Sequence, residues 1–205
     1  INFGSTYNKA SMFFNFGTDG ATAGEQTYYW DDVTFVPGSG GGDGIELPID
    51  FESMDIDYEI TDFGGNASQI IVDPTDADNM VVESIKTGGA QTWAGTTVGE
   101  ISGFAMPIPF APGATSMTVR VWSPTSGTPI RLKVEQVGVP EVSVETEAMT
   151  TMESTWETLT FDFSNQVDGT AEINFGSTYN KASMFFNFGT DGATAGEQTY
   201  YWDDV

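Results

Sequence analysis

Residues Ile173 to Val205 read INFGSTYNKASMFFNFGTDGATAGEQTYYWDDV, and Ile1 to Val33 read the same, letter for letter. Identity over 33 residues does not arise by chance, so the chain reads as a window on a tandem array with a period of 172 residues, the offset from Ile1 to Ile173. On that reading Ile1 and Val205 are internal positions of a longer protein, and Thr34-Phe35-Val36 is the sequence expected after Val205. Within the stretch, Ser11–Phe16 (SMFFNF) is short, aromatic and flanked by glycines, which predicts a strand. Thr18–Gly24 predicts a polar, glycine-rich turn. Thr27–Val36 predicts a second strand, with Tyr28, Trp30, Asp32 and Thr34 on one face and Tyr29, Asp31, Val33 and Phe35 on the other. The second copy repeats the pair of strands at Ala182–Phe188 and Thr199–Val205.

Working outward from the duplicated stretch, Pro37–Gly44 (PGSGGGDG) is a flexible linker with no apolar residue to bury. The expected organisation is then residues 1–36 as the end of one repeat, 37–44 as linker, and 45–205 as a near-complete repeat. In that unit, strands are predicted at Leu47–Glu52, Ile56–Asp62, Ser68–Val72, Met80–Lys86, Thr92–Val98, Phe104–Ile108, Ser116–Trp122, Ile130–Gln136, Val142–Thr146 and Glu157–Phe163. Glycine and proline turns separate them, and only Glu147–Trp156 offers room for a helical turn. Short, evenly spaced strands predict an all-β fold, a two-sheet antiparallel β-sandwich of jelly-roll type, one per repeat. In Ile130–Gln136 the alternation places Ile130, Leu132 and Val134 inward and Arg131, Lys133 and Glu135 outward.

Thirty acidic residues face six basic ones, a net charge of −24. Such a surface repels nucleic acid and anionic membranes and attracts cations. The chain has no cysteine and no histidine, which excludes disulfides, thiolate zinc sites and histidine-dependent nucleophilic catalysis. No apolar run approaches the roughly 18 residues of a membrane-spanning helix. Acidity and repetition together point to the outside of a cell.

Leu47-Pro-Ile-Asp-Phe-Glu-Ser53 at one end and Thr199-Tyr-Tyr-Trp-Asp-Asp-Val205 at the other form a pattern, joined by Trp122-Ser-Pro, Arg131-Leu-Lys-Val-Glu135 and Trp156-Glu-Thr-Leu-Thr-Phe161. In that order these motifs resemble the jelly-roll carbohydrate-binding modules of the galactose-binding-like superfamily, over essentially all of 45–205. The resemblance implies a β-sandwich, a structural Ca²⁺ near the paired termini, and in many members glycan binding. Similar modules occur in tandem in large secreted or surface proteins of marine bacteria, which suggests an adhesin or filament of a bacterial surface.

Two candidate sites follow. Calcium takes six to eight oxygen ligands, and if the first and last strands are neighbours, Asp50 or Glu52 meets Asp203 or Asp204. Because Asp203 and Asp204 are adjacent in a strand, only one of the two side chains is expected to ligate. The acidic loop Asp73–Asn79 is a weaker candidate. For a glycan, an aromatic ring stacks on the C–H face of a pyranose while polar side chains take its hydroxyls. Trp93, Trp122, Arg120, Arg131, Lys133 and Asn187, with Gln91 and Glu135, are the residue types available. Four of the five basic residues beyond Val33 lie between Lys86 and Lys133, either as part of that site or as cross-strand ion pairs with acidic neighbours. Phe161, Phe163, Phe185, Phe186, Phe188 and Trp156 are expected mostly in the core. Asn66-Ala-Ser68 matches a glycosylation acceptor, read as coincidence.

The sequence therefore predicts a non-catalytic module, with polysaccharide or cell-surface glycan and neighbouring repeats as partners. The alternatives are a ligand-free spacer or fibre-forming repeat, and a binding module of a secreted polysaccharide-degrading enzyme. A binder requires Trp93 and Trp122 exposed along a groove; a spacer allows them, and Arg120, to be buried or ion-paired. Independent folding of each repeat is the simpler expectation, and exchange of the duplicated strands between neighbouring units is the alternative to test.

Overall fold

Among the described residues ten strands form two five-stranded antiparallel sheets, and the second copy of the duplicated stretch supplies the middle strand of both. The computed structural model describes residues 20–24, 27 and 44–205. The chain divides into two units, Ile1–Val36 and Pro37–Val205. In the first unit Gly20–Ala23 is a single helical turn, α1; the facing expected of Thr27–Val36 and the strand expected at Ser11–Phe16 lie outside the described residues. All that follows concerns the second unit.

The first sheet has the order β1 (Thr61–Phe63), β4 (Gly95–Val98), β9 (Lys181–Phe186), β6 (Pro129–Gln136), β7 (Val139–Met149). The second has the order β2 (Asn66–Asp73), β3 (Asp76–Lys86), β10 (Gln198–Asp203), β5 (Ser116–Ser123), β8 (Thr155–Asp162). With β9 and β10 central in their own unit's sheets, residues 173–205 complete the sandwich that precedes them, which sets aside the alternative of strand exchange between units.

The core follows from the alternation. Val119 and Val121 of β5, Ile130, Leu132 and Val134 of β6, Leu159 and Phe161 of β8, and Tyr200 and Trp202 of β10 are all buried between the sheets. Phe186 of β9 and Tyr200 of β10 stack across the sandwich with centroids 4.7 Å apart and planes at 15°, so the two middle strands lock to each other through aromatic rings. Trp202 is fully buried and its Nε1–H donates to Ser84 Oγ at 2.9 Å, which satisfies the indole inside the core. Each such side chain contributes about 1.5–3 kcal/mol of burial.

Some expected strands did not form. Leu47–Glu52 is not a strand: Phe51 has a left-handed backbone (φ 56°) that interrupts extension, and Pro48 lacks an N–H to pair. Phe104–Ile108 makes a single parallel bridge, Ile45 to Phe104. No helical turn forms in 147–156; β7 runs through Met149 and β8 starts at Thr155. The polar turn expected in the duplicated stretch is a short helix, α2 (Gly192–Ala195), whose first free N–H groups are capped by Asp191, accepting from Thr194 N at 2.8 Å. Gly192 is required there because a Cβ would collide with the Thr87 carbonyl oxygen.

Candidate functional site

The outer face of the first sheet carries a groove of about 390 Å³. Its aromatic end is built by the β3–β4 loop. Gln91 N donates to Gly64 O at 2.7 Å and Ala94 N to Gln91 O at 3.1 Å, which fixes the loop against the end of β1. Trp93 then lies parallel to Phe63 (12°, centroids 6.2 Å) and remains 50% exposed. Gly64 makes this approach possible, since it has φ +65° and a Cβ there would press on the Trp93 ring and the Ala94 backbone. Phe63 meets Phe185 edge-on at 5.3 Å, and Phe185 meets Phe188 at 5.7 Å.

The floor and far end are polar. Register places Thr97, Ser183 and Lys133 side by side on β4, β9 and β6, with Glu145 next on β7. Thr97 and Ser183 share a hydroxyl hydrogen bond of 2.8 Å. Lys133 pairs with Glu135 at 2.8 Å, and Lys181 bridges Glu135 at 3.7 Å and Glu100 at 3.3 Å. Arg131 borders the groove: its guanidinium lies 3.5 Å from the centre of the Phe188 ring and pairs with Glu145 at 3.2 Å and Glu147 at 3.1 Å. Beyond Arg131 a second, polar depression of about 330 Å³ is lined by Ser143, Glu145, Asp168 and Thr170.

Of the residues singled out in sequence, Trp93 and Lys133 meet in this groove and Arg131 stands at its edge. Asn187 lies beside it with a left-handed backbone (φ 48°), and its carbonyl accepts from the buried Lys86 Nζ at 2.9 Å. Trp122 and Arg120 are on the opposite sheet. Phe63, Phe185, Ser183, Thr97, Lys181 and Glu100 were not among the candidates. Of the phenylalanines expected mostly in the core, Phe185 is buried as expected but on the outer side of the sheet, beneath the groove, while Phe188 is half-buried and lines it. The alternation in Ser183-Met184-Phe185-Phe186 held the clue, because Met184 and Phe186 take the inward positions and leave Ser183 and Phe185 outward.

On the opposite face Tyr201, Trp122 and Trp156 are in register across β10, β5 and β8. Trp122 meets Tyr201 edge-on at 5.3 Å. Arg120 lies 4.0 Å from the Trp156 ring centre, so Trp156 is on this outer face and not in the core. Arg120 also sits 3.5 Å from both Asp73 Oδ2 and Asp203 Oδ2. Asp203 is pushed up to about 6, chiefly by burial, with Asn79, the Asp204 N–H and Arg120 opposing. Burial also works against charge on Asp73, but the N–H and hydroxyl of Thr75, together with Arg120, hold it below the ordinary carboxylate value. The Asp73–Asn79 turn is thus spent on its own structure.

Chain pairing at the termini is as expected: Ile49 and Val205 exchange backbone bonds of 2.9 and 3.1 Å. Asp50, Glu52 and Asp203 all raise the Tyr58 hydroxyl, secondary to burial. Glu52 accepts from Met80 N at 2.7 Å and Asp203 from Asn79 Nδ2 at 3.0 Å. Among the described residues no three acidic side chains converge as a metal-ligand set. Asn66 is buried and donates to Thr96 Oγ1 at 2.7 Å, out of reach of a glycosylating enzyme in the folded chain.

No protein-family model matches the chain, and no curated protein matches it. Among solved structures it is similar in fold to an exo-β-agarase (TM-score 0.50, 9% identity, covering 76% of this chain and 24% of that one). It is also similar to the family 11 carbohydrate-binding module from Clostridium thermocellum in complex with a β-1,3-1,4-mixed-linked tetrasaccharide (TM-score 0.49, 12% identity, 76% and 89% covered). A third is the CBM22-2 xylan-binding domain from Paenibacillus barcinonensis Xyn10C (TM-score 0.43, 13% identity, 76% and 94% covered). At these identities the likeness concerns the β-sandwich fold alone, and this chain spans about a quarter of the exo-β-agarase chain.

Proposed function

We propose that the unit is a non-catalytic, extracellular carbohydrate-binding module, one bead of a tandem array, and that it binds polysaccharide in the groove of the first sheet. The observation that carries this is Trp93, half exposed and held flat at the mouth of a groove whose floor is hydroxyls and ion pairs. An indole face takes the C–H face of a pyranose, and Thr97, Ser183, Lys133, Glu135 and Lys181 offer donors and acceptors for its hydroxyls. Glu135, Glu100 and Glu145 are each tied to a lysine or arginine, which suits hydrogen-bond acceptance better than proton donation to a leaving group. In an array, weak binding at each bead gains avidity through effective concentration. The test is a screen against soluble polysaccharides. Binding lost in Trp93→Ala and kept in Trp122→Ala supports the reading; binding indifferent to Trp93, or none to any glycan, removes it.

Calcium at the paired termini is a second reading: the Ile49–Val205 pairing brings the segments carrying Asp50, Glu52 and Asp203 to one end of the sandwich, although these carboxylates do not converge on one point. Their oxygens suit Ca²⁺, with Glu52 Oε1 and Asp203 Oδ2 already accepting from Met80 N and Asn79 Nδ2. A melting temperature that rises with calcium and falls with chelator supports the site; one that ignores both removes it.

A further inference from the structure

A groove of about 430 Å³ opens at the end of β10, lined by Leu47, Pro48, Ile108, Phe110 and Met117 together with Val205 itself. Its walls are two chain segments that β10 has only partly engaged. β5 pairs with β8 along the whole of Ser116–Ser123 but with β10 only from Arg120 to Trp122. Among the described residues, the β10-facing edge of Ser116–Val119 therefore has no strand partner. On the other side, Val205 pairs with Ile49 in both directions, so a chain continuing from Val205 would run antiparallel past Pro48 and Leu47. Asp204, left-handed at φ 52° and with its N–H turned onto Asp203 Oδ1, ends the pairing with β5, so the Ile49 register alone carries the continuation into the groove.

The sequence names what would fill it. The stretch identical to Ile173–Val205 ends at Val33 and is followed by Thr34-Phe35-Val36. Val205 is buried and faces inward. By strand alternation the next residue, threonine, faces out and the one after it, phenylalanine, faces in. That phenylalanine arrives among Leu47, Ile108, Phe110 and Met117. We propose that this groove is the seat of a Thr-Phe-Val segment continuing β10 in cis. The phenylalanine plugs the apolar space, and the backbone extends the antiparallel pairing that Val205 makes with Ile49. The following residue is the counterpart of Pro37, which lacks an N–H for further pairing and starts the linker.

The consequence is geometric. The outgoing chain leaves beside Leu47, next to where the incoming chain arrives at Ile45. Both linkers of a bead then attach at one pole of the sandwich. Such beads add little length to an array and leave the rest of the surface clear, which favours a display of binding modules over a spacer.

The experiment compares the 205-residue chain with the same chain extended by Thr-Phe-Val, and with an extension carrying serine in place of phenylalanine. The phenylalanine extension is expected to raise the melting temperature by roughly 4–8 °C, with most of the gain lost in the serine version. Met117→Glu in the phenylalanine-extended chain should cancel the gain relative to Met117→Glu alone. No gain, or an equal gain from serine, overturns the proposal. So does a self-associating 205-residue chain whose association the extension fails to abolish, because a second copy would then occupy the groove.

Discussion

The two outer faces of the sandwich use the same residue types to opposite ends. On the first sheet Arg131 pairs with Glu145 and Glu147, whose side chains are 23% and 29% exposed, and lies over the Phe188 ring at the edge of the groove. On the second, Arg120 pairs with Asp73 and Asp203, whose side chains are 0% and 2% exposed, and is covered on one side by Trp156. Removing a partner from an exposed pair leaves a charge that water can take. Removing the partner of a buried carboxylate leaves a charge with nowhere to go. The burial of the partner, not the identity of the cation, separates a residue available to a ligand from one committed to the fold.

The largest expected effect follows directly. Arg120→Ala strands two buried carboxylates and should cost about 3–5 kcal/mol of stability, read by urea or thermal unfolding. Arg131→Ala should cost less than about 1 kcal/mol by the same measurement. Equal losses at the two positions would break the comparison.

Next in size is the effect on binding. Trp93→Ala should weaken glycan affinity about 30-fold, as loss of a central aromatic anchor does, and should shift the melting temperature little, because half of the ring is already in water. Trp122→Ala should do the reverse, lowering stability through its contact with Tyr201 while leaving affinity unchanged. Isothermal titration and thermal melts on the two variants give four numbers, and a variant that moves both properties alike blurs the distinction between the faces.

The sandwich was legible because alternation is local: Val119 and Val121, or Ile130, Leu132 and Val134, declare an inward face without knowledge of any partner. The motif order added the closure of the first and last segments, seen in the Ile49–Val205 pairing. The site was half legible. Trp93 and Lys133 were named, but nothing local to Arg120 or Trp122 says which of the two sheets β5 joins, and strand order is a long-range property. Phe185 was hidden by composition, since a phenylalanine in an aromatic run reads as core until the register shows which way it faces. Leu47–Glu52 failed as a strand because Phe51 turns left-handed, a choice imposed by packing against Tyr58 and Trp202 and not by its own preference.

The smallest expected effect sharpens the comparison within the second face. Asp73 and Asp203 share one guanidinium but titrate in opposite directions. Asp203 is raised from 3.8 to about 6, mainly by burial, so its folded form favours the proton. Its contribution to stability is full below about pH 4 and is lost as the pH rises through 6. Asp73 is held below 3.8, because Thr75 adds two donors that outweigh burial. Its contribution is present above that value and is lost as the pH falls through its folded value. The stability of the unmodified chain relative to Asp203→Asn should therefore decline from pH 4 to pH 6. Relative to Asp73→Asn it should rise with pH over the acid range below about 4. Denaturant titrations across this range read both slopes. Slopes of the same sign would mean that Arg120 alone governs the pair. Opposite signs would show that the donors beyond the ion pair decide how each buried carboxylate holds its charge.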